Sequence, residues 1–597
     1  MKKTKRKSAW ATSLPIKEQF RIVGKLIGFA KPYWRHFISA IVLAAAVSVV
    51  NIYLPTIIRI YMDTYLKVGK ANYQIMWFFA GLYLFTMIVK AVMQFGQDFL
   101  YSMGAEYMLE NVRRRIFAKL HRLGMRYFDQ VPSGSIVSRL TNDTMSFSTF
   151  WQLFSSLIVA LFSVVSCAIA MFMLNKTVAL LLLTFMPLLM IVIWYYQRYS
   201  SRVYRRMRER LSELNSRLAE AITGVSTIQQ FRQGRRMSDE FSHTNNAYFD
   251  TRKAMISINA LLLSPIINLF YALGVVVVLG LFGVKGLNGY VPAGMIYAFI
   301  TYVDNFYNPM TSMMDNLSDF QDGVVSGSRV IKLLNDPTAA PTQNVRANRQ
   351  ITDGKIEFKH VTFAYDGEHP VLNDVSFTAE PGQTVALVGE TGSGKTSTIN
   401  VLMRFYEYQS GEVLIDGHSI REYDMKELRQ KMGLVLQEPF LFYGTVASNI
   451  RMFDETLSDQ QVRAAARFVN ADNFIEDLPK GYDSRVIERG SGYSSGQRQL
   501  ISFAGTVVTD PKILILDEAT ANIDTETEQT IQRSLNQMRE GRTTIAIAHR
   551  LSTIQNADLI LVLSRGRIVE RGTNDELMQQ HGVYYDMIRL QNTAHLD

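Results

Sequence analysis

The sequence predicts a polytopic α-helical membrane domain with six transmembrane helices and long cytoplasmic extensions, followed by an α/β domain of the P-loop type. Three observations lead to this prediction. The 597 residues are 48% hydrophobic and only 19% charged, which is too apolar for an ordinary pair of soluble domains. The apolar runs lie between residues 37 and 310, whereas 350–597 has the composition of a soluble protein. A glycine-rich segment, GETGSGKT, follows a predicted strand at 389–396.

Six apolar runs fill the first half of the chain, each about 20 residues long, which is the length that crosses a bilayer. A set of buried core helices is the less favoured alternative, because so many long runs share one half of the chain. The segment before the first run, 14–37, is amphipathic and favours an elbow helix lying in the membrane interface over an ordinary soluble helix. The six runs are 37–59, 75–97, 152–174, 177–197, 259–283 and 291–312.

Lysine and arginine are distributed unequally among the connections between these runs. Ten stand in residues 1–35, seven between the second and third runs, and twelve between the fourth and fifth. The opposite connections hold only Lys67, Lys70, Lys176 and Lys285. The excess on one side predicts a multi-pass protein of the cell membrane with both termini in the cytoplasm. It also accounts for the net charge of +10, so we expect the lipid bilayer as a partner and no nucleic acid.

The two long cytoplasmic connections have helical spacing and almost no glycine or proline, notably at 105–128 and 202–225. We therefore expect the transmembrane helices to continue into the cytoplasm as hairpins with arms of about 25 residues, or roughly 35 Å. A short break is predicted at each tip, at 129–140 and around Gly224. The tips are expected to contact the C-terminal domain.

Polar side chains interrupt two of the apolar runs. Lys90 and Gln94 lie in the second run, and Asp304 and Asn305 lie beside Phe306 in the sixth. Polar groups at membrane depth are costly and usually functional, so these five residues are candidates for a substrate path. Pairing between helices, or a lysine reaching toward the membrane surface, is an equally good interpretation.

The strand TVALVG (384–389) runs into the glycine-rich segment and then into an apolar helix, which is the context that a phosphate-binding P-loop requires. The glycines let backbone amides surround the phosphates, Lys395 reaches the β- and γ-phosphates, and Thr396 offers its hydroxyl to magnesium. The sequence thus predicts ATP and Mg²⁺ as ligands of this segment. The predicted cradle comprises Gly389, Glu390, Thr391, Gly392, Ser393, Gly394, Lys395, Thr396 and Ser397.

Three further apolar strands end in residues suited to ATP hydrolysis. Asp517 would hold Mg²⁺ through water, and Glu518 is placed to polarise the attacking water as general base. His549 is expected to contact the γ-phosphate, because ligands bind at the carboxyl ends of parallel strands. Gln437 is expected to orient water or Mg²⁺. The three strands lie in ILILDEAT (513–520), TTIAIAHR (543–550) and GLVLQEPFLF (433–442).

With these motifs in this order, the sequence resembles the ATP-binding cassette (ABC) exporters over nearly its whole length. The resemblance implies a half-transporter with an N-terminal elbow helix in 1–35, a transmembrane domain in 36–335, a linker in 336–354 and a nucleotide-binding domain in 355–597. It also implies that VIERGSGYS (486–494) touches the cytoplasmic helix tips. By the same resemblance, Tyr365 stacks on adenine, Gln437 is the Q-loop, Ser494, Gly496 and Gln497 belong to the signature YSSGQRQL (493–500), Asp524 ends the D-loop ANID (521–524), and His549 is the H-loop.

A half-transporter of this family works as a dimer, with each ATP held between the P-loop of one chain and the signature of the other. Here the signature departs from the usual Leu-Ser-Gly-Gly-Gln, because Tyr493 replaces leucine and Ser495 replaces the first glycine. The D-loop also differs, whereas the P-loop, Glu518 and His549 are intact. This asymmetry resembles the catalytically complete subunit of heterodimeric bacterial multidrug exporters. It predicts as partner a different half-transporter with a degenerate catalytic site.

The resemblance implies ATP-driven export of small amphipathic drugs or lipid-like compounds by alternating access. A peptide exporter and a homodimeric lipid flippase of the same fold are alternatives. The kind of peptide exporter that carries an N-terminal cysteine peptidase is excluded, because the one cysteine, Cys167, lies in the third run. An ATP-gated channel or sensor is the remote alternative from another functional class.

Overall fold

A computed structural model describes residues 16–66, 72–262, 264–287, 291–315, 317–346, 349–517, 525–547 and 555–594. The chain divides into two compact units. The first comprises Met1–His121 and Ser133–Asp336, and the second comprises Arg122–Pro132 and Pro337–Asp597. The first unit is helical, and the second carries the β-sheets.

The long apolar runs of the first unit form helices, since a helix satisfies its own backbone polar groups where no water is present. The helices in chain order are α1 (Ile16–Ala30), α2 (Trp34–Ile60), α3 (Tyr73–Leu120), α4 (Met125–Gln130, in the second unit), α5 (Ser133–Leu140), α6 (Asn142–Leu174), α7 (Lys176–Leu183), α8 (Phe185–Thr223), α9 (Val225–Gln230), α10 (Gly234–Leu262), α11 (Ser264–Leu287), α12 (Ala293–Asp315) and α13 (Leu317–Leu334). A 3₁₀ turn, Lys31–Tyr33, joins α1 to α2, and a π-helical turn, Tyr61–Leu66, follows α2.

Five helical stretches among the described residues are long and apolar enough to cross a membrane, and each contains one of the first five predicted runs. The sixth run, 291–312, forms α12, which is less apolar because Asp304 and Asn305 interrupt it. Its membrane crossing stays a prediction. The five stretches are Phe20–Leu66, Tyr73–Leu120, Ser133–Leu174, Lys176–Thr223 and Gly234–Leu287.

Helices continue well beyond the apolar runs, as the sequence predicts. The 48 residues of α3 extend over about 72 Å at 1.5 Å per residue, and α8 has 39 residues. The predicted break at 129–140 is mostly helical: α4 ends at Gln130 and α5 begins at Ser133, so the interruption is confined to Val131 and Pro132. The break at Gly224 is present between α8 and α9.

Aromatic side chains join α2, α3 and α6 in the first unit. Phe147, Phe150 and Trp151 of α6 are buried, and the ring of Trp151 lies 5.1 Å from that of Phe37. The hydroxyl of Tyr101 donates a hydrogen bond to the Trp151 carbonyl at 2.8 Å. These contacts fix the three helices around the cavity described below.

The second unit alternates apolar strands with amphipathic helices, which builds layered sheets and helices. Its strands are β1 (Ile356–Phe363), β2 (Leu372–Ala379), β3 (Thr384–Val388), β4 (Ser410–Ile415), β5 (His418–Ser419), β6 (Met432–Val435), β7 (Gly444–Thr445), β8 (Arg485–Val486), β9 (Ile513–Asp517), β10 (Thr543–Ile547), β11 (Leu559–Ser564) and β12 (Arg567–Gly572). Its helices after α13 are α14 (Lys395–Leu402), α15 (Met425–Lys431), α16 (Val446–Arg451), α17 (Asp459–Phe468), α18 (Asp472–Glu476), α19 (Ser495–Val507), α20 (Thr525–Arg539), α21 (Asn574–Gln580) and α22 (Val583–Ala594).

The described strands form a six-stranded sheet in the order β12-β11-β3-β10-β9-β6, a four-stranded sheet in the order β2-β1-β4-β5, and the ribbon β7-β8. In the larger sheet β11, β3, β10, β9 and β6 are parallel, and only β12 is antiparallel. The carboxyl ends of the parallel strands therefore meet at one edge. In such sheets ligands bind at that edge.

A buried arginine holds residues 342 and 343, which precede β1. Arg404 has a fully buried side chain and donates hydrogen bonds to the Gln343 side chain and to the Thr342 carbonyl. In the same unit, Leu123 of the 122–132 segment forms a β-bridge with Ala339. A side chain at Gly124 would stand 2.6 Å from the Ala339 carbonyl oxygen, so this close approach needs glycine.

Candidate nucleotide site and membrane cavity

Four predicted site segments follow strands that are adjacent in the larger sheet. The P-loop follows β3, and Asp517 is the last residue of β9. Gln437 stands two residues after the end of β6, and β10 ends at Ile547, which pairs with Asp517. Since β3, β10, β9 and β6 are neighbours and parallel, the sheet brings the P-loop, Asp517 and Gln437 to one edge. Glu518, Asp524 and His549 lie outside the described residues.

The P-loop closely approaches β11, and this contact requires glycine at position 389. Gly389 has φ +153°, and a Cβ there would lie 2.3 Å from the Leu563 carbonyl oxygen. Gly392 and Gly394 also have positive φ values, of +85° and +113°. The loop therefore adopts a conformation that L-residues rarely reach, with its amides available to an anion.

Lys395 is the first residue of α14 and has a buried side chain. Its ammonium donates hydrogen bonds to the carbonyls of Gly389 (2.6 Å) and Glu390 (3.0 Å), so the cation is held within the loop. The Ser393 hydroxyl is buried and has no hydrogen-bond partner in the described chain. A buried cation, an unpartnered hydroxyl and a helix N-terminus together fit a phosphate chain.

Thr396 is exposed in the first turn of α14, whereas its neighbours Lys395 and Ser397 are buried. Its hydroxyl is an oxygen donor suited to Mg²⁺, and Asp517 supplies a carboxylate at the same sheet edge. In the exposed part of the loop, Glu390 and Thr391 precede the buried Ser393. Among the described residues no group of three acidic, histidine or cysteine side chains could hold a metal ion.

Tyr365 lies directly beside the P-loop helix. Its hydroxyl is 3.1 Å from that of Ser397 and accepts a hydrogen bond from the Asn400 amide at 3.0 Å. Its ring packs edge-on against Tyr406, with ring centroids 4.8 Å apart. The half-buried ring is thus held next to the P-loop, where the resemblance expects an adenine-stacking residue.

The signature begins α19 with a reciprocal capping box. The Ser494 hydroxyl accepts from the Gln497 amide at 3.2 Å, and the Gln497 side chain accepts from the Ser494 amide at 3.0 Å. The capping pattern Ser-x-x-Gln is visible in the sequence. Gly496 is buried in the first turn, and the unusual Tyr493 donates its hydroxyl to the Arg485 carbonyl.

A cavity of about 560 Å³ lies in the membrane half. Lys90 and Gln94 line it, whereas Asp304, Asn305 and Phe306 do not, and a substrate path at these five residues stays a prediction. Phe306 is buried in the helix core, and the Asn305 carbonyl accepts a hydrogen bond from Ser163, so these two residues take part in helix packing.

The cavity also contains polar residues that the sequence analysis missed. They are Ser48, Asn51, Gln97, Asp98, Tyr101, Ser102, Gln152, Ser155, Ser156 and Ser163. The helical spacing of Lys90, Gln94, Gln97 and Tyr101 along α3 could have found part of this set, because residues three or four apart share a helix face. The second apolar run, 75–97, ends within that pattern.

Comparison with known proteins matches both halves of the chain. The model of the ABC transporter transmembrane region matches residues 37–310, and the ABC transporter model matches residues 372–521.

Individual relatives cover most of the chain. It is 44% identical over 582 residues to the putative ABC transporter ATP-binding protein exp8 of Streptococcus pneumoniae, covering 97% of this chain and 99% of that protein. It is 40% identical over 516 residues to the probable multidrug resistance ABC transporter ATP-binding/permease protein YheH of Bacillus subtilis, covering 86% and 76%. It is 36% identical over 510 residues to a fatty acid ABC transporter ATP-binding/permease protein of Mycobacterium bovis, covering 85% and 80%.

Proposed function

We propose that this chain, which belongs to the ABC transporter family, exports amphipathic drugs or lipid-like compounds as one half of a heterodimeric transporter. The chain is an exporter half-transporter that couples transport to ATP hydrolysis. This follows from the two matched regions and from relatives aligned along nearly the whole chain. The observation that carries the proposal is the sheet edge that brings the P-loop, Asp517 and Gln437 together, in a chain whose described residues include five helical stretches long and apolar enough to cross a membrane.

Each predicted site residue has one role in ATP binding or hydrolysis. The P-loop amides and Lys395 bind the phosphates, and Tyr365 stacks on the adenine. Thr396, Asp517 and Gln437 would hold Mg²⁺, which neutralises charge on the transferring phosphate when bound. Glu518 accepts a proton from the attacking water, and His549 contacts the γ-phosphate.

The signature would act on the ATP of the partner chain. The capping box uses the Ser494 and Gln497 backbone amides, so by the family resemblance the Ser494 hydroxyl and the Gly496 amide would contact the γ-phosphate, where the N-terminus of the helix favours an anion. Closure around two ATP molecules draws the cytoplasmic helices together, and hydrolysis releases them. This coupling uses binding energy that exists only in the closed state.

We infer a heterodimer because the P-loop, Glu518 and His549 are intact whereas the signature of the same chain is altered. The partner is a second half-transporter with a degenerate catalytic residue. Purification of the chain alone and together with such a partner tests the idea. Full drug-stimulated ATPase activity of the isolated chain as a dimer would contradict it.

Transport itself is tested with an amphipathic dye in inside-out membrane vesicles. An exporter accumulates the dye against its gradient when ATP is added. A channel or sensor would only dissipate a dye gradient, and this outcome would overturn the proposal. The relatives whose names mention multidrug resistance and fatty acids support dyes and fatty acids as first probes.

A further inference from the structure

Tyr365, the residue expected to stack on adenine, stands two residues after the end of β1. The pairing of β1 with β4 ends at Thr362, opposite Ser410. Beyond this point the Gln409 side chain takes the place of a strand. Its oxygen accepts a hydrogen bond from the Ala364 amide at 2.7 Å, and its NH₂ group donates to the Ala364 carbonyl at 3.0 Å. The residue directly before Tyr365 is therefore held by both of its backbone polar groups.

The side chain of Tyr365 is held as well. The Asn400 carboxamide donates to its hydroxyl at 3.0 Å, and the Ser397 hydroxyl lies 3.1 Å from it. Both partners stand on α14, the helix that begins with the P-loop lysine. The ring lies edge-on to Phe363, with centroids 4.7 Å apart, and to Tyr406 at 4.8 Å. Hydroxyl and ring are thus both fixed, and the half-buried ring keeps part of its surface accessible.

A carboxamide at position 409 suits both contacts with Ala364, because it donates and accepts through neighbouring atoms, as a peptide group does. A glutamate would keep the bond from the Ala364 amide but would turn its second oxygen toward the Ala364 carbonyl, and the two oxygens repel each other. An alanine would make neither contact. Gln409 therefore extends the ladder between β1 and β4 to the residue before Tyr365.

A platform that is already ordered strengthens the binding of its ligand. Fixing one residue costs conformational entropy, and a ligand that has to order its own binding site binds more weakly by that amount. The hydrogen bonds of Gln409 and Asn400 join residues of one chain, so they form on folding and need no nucleotide. They keep Tyr365 in a single arrangement beside the P-loop helix.

We propose that Gln409 and Asn400 are positioning residues for nucleotide binding, which set Tyr365 in its stacking position before ATP arrives. Gln409 acts on the backbone before Tyr365, and Asn400 acts on the Tyr365 hydroxyl. Preorganisation of this kind strengthens the binding of ATP and leaves the chemical step unchanged. The inference rests on the proposed function, in which Tyr365 stacks on adenine, and it adds the residues that prepare that subsite.

A double-mutant cycle of Gln409 with Tyr365 tests the positioning role. The full-length chain in lipid nanodiscs is titrated with a fluorescent ATP analogue labelled on the ribose, so that the base is free to stack. Gln409→Ala is expected to weaken binding about five- to tenfold, because the analogue then has to order Tyr365 itself. In a Tyr365→Ala background the same substitution should change the affinity by less than about twofold, since the residue through which Gln409 acts is gone.

Further variants separate the two contacts. Asn400→Ala should weaken binding about threefold in the wild-type background and have no effect in Tyr365→Phe, which lacks the hydroxyl that Asn400 holds. Gln409→Glu, which keeps one of the two backbone contacts, should bind with an affinity between those of the wild type and Gln409→Ala. Gln383→Ala is the matched control and should keep wild-type affinity. Gln383 accepts a hydrogen bond from the Glu380 amide at 2.9 Å, at the end of β3 opposite to the P-loop.

Steady-state hydrolysis gives a readout that general destabilisation would not produce. With the partner half-transporter present, Gln409→Ala should raise the KM for ATP and leave kcat unchanged, because only the binding of ATP is weakened. A lower kcat at unchanged KM would contradict the positioning role.

Wild-type affinity of Gln409→Ala would overturn the inference. So would an equal loss of affinity in the Tyr365→Ala background, since Gln409 would then act elsewhere. Wild-type affinity of Tyr365→Ala itself would also overturn it, because there would be no stacking to prepare. Failure of the export function has a different signature, namely no ATP-driven dye accumulation by the wild-type protein. Failure of the positioning inference alone leaves that accumulation intact.

Discussion

Gly389→Ala should weaken the binding of ATP to the P-loop. The new Cβ would stand 2.3 Å from the Leu563 carbonyl oxygen and 2.7 Å from the Ser393 hydroxyl oxygen. Leu563 lies in β11, so its carbonyl cannot move without shifting a strand of the central sheet. Backbone strain at positive φ costs about 1–3 kcal/mol, and overpacking costs about as much again. Strain and overpacking together cost roughly 2–6 kcal/mol. If this cost distorts the loop that binds the phosphates, ATP binding weakens at least about 30-fold.

Titration of the full-length protein with a fluorescent ATP analogue measures this loss. Gly367→Ala is the control, because Gly367 also has positive φ, of +85°, but a Cβ there meets nothing within 4 Å. The control should show strain without a clash and should keep wild-type affinity. Binding by Gly389→Ala within twofold of wild type would refute the argument that the loop depends on this close approach.

Three further predictions address other residues. Glu518→Gln should permit ATP binding but nearly abolish turnover, and undiminished steady-state hydrolysis would remove Glu518 from the base role. Ser494→Ala should chiefly impair the site that uses the partner's P-loop, whereas Ser458→Ala, which removes an equivalent capping box and about 1 kcal/mol of stability, should leave hydrolysis unchanged. Loss confined to this chain's own site would contradict the cross-dimer arrangement. Arg329→Ala should lower thermal stability by about 3 kcal/mol, because it leaves the buried Asp143 carboxylate without its 2.9 Å ion pair. A melting temperature of Arg329→Ala equal to that of the wild-type protein would contradict this reasoning.

The strands of the nucleotide half could be predicted because each is a continuous apolar run followed by a residue with evident chemistry. β3, β9 and β10 begin at the first residues of the quoted segments. The long helices could be predicted from uninterrupted periodicity. The helical character of 133–140 could not, because proline and glycine in PSGSIVSRL indicate a break although α5 forms there.

The cavity was only partly predictable, because serines and carboxamides are distributed over several helices and carry no spacing pattern between them. Lys90 and Gln94 were visible as polar interruptions of an apolar run, whereas Gln152 and Ser156 begin the third run without interrupting it. Asn305 and Phe306 looked similar in the sequence but take part in helix packing. Only tertiary contacts separate these two cases.

Vanadate trapping of photoreactive 8-azido-ATP on this chain, in complex with its partner, tests whether the chain's own sheet edge forms an ATP-hydrolysing site. We expect covalent labelling of this chain, retained in Ser458→Ala and lost in Lys395→Ala, because Lys395 holds the phosphates. Trapped label on Lys395→Ala at the wild-type level would contradict it.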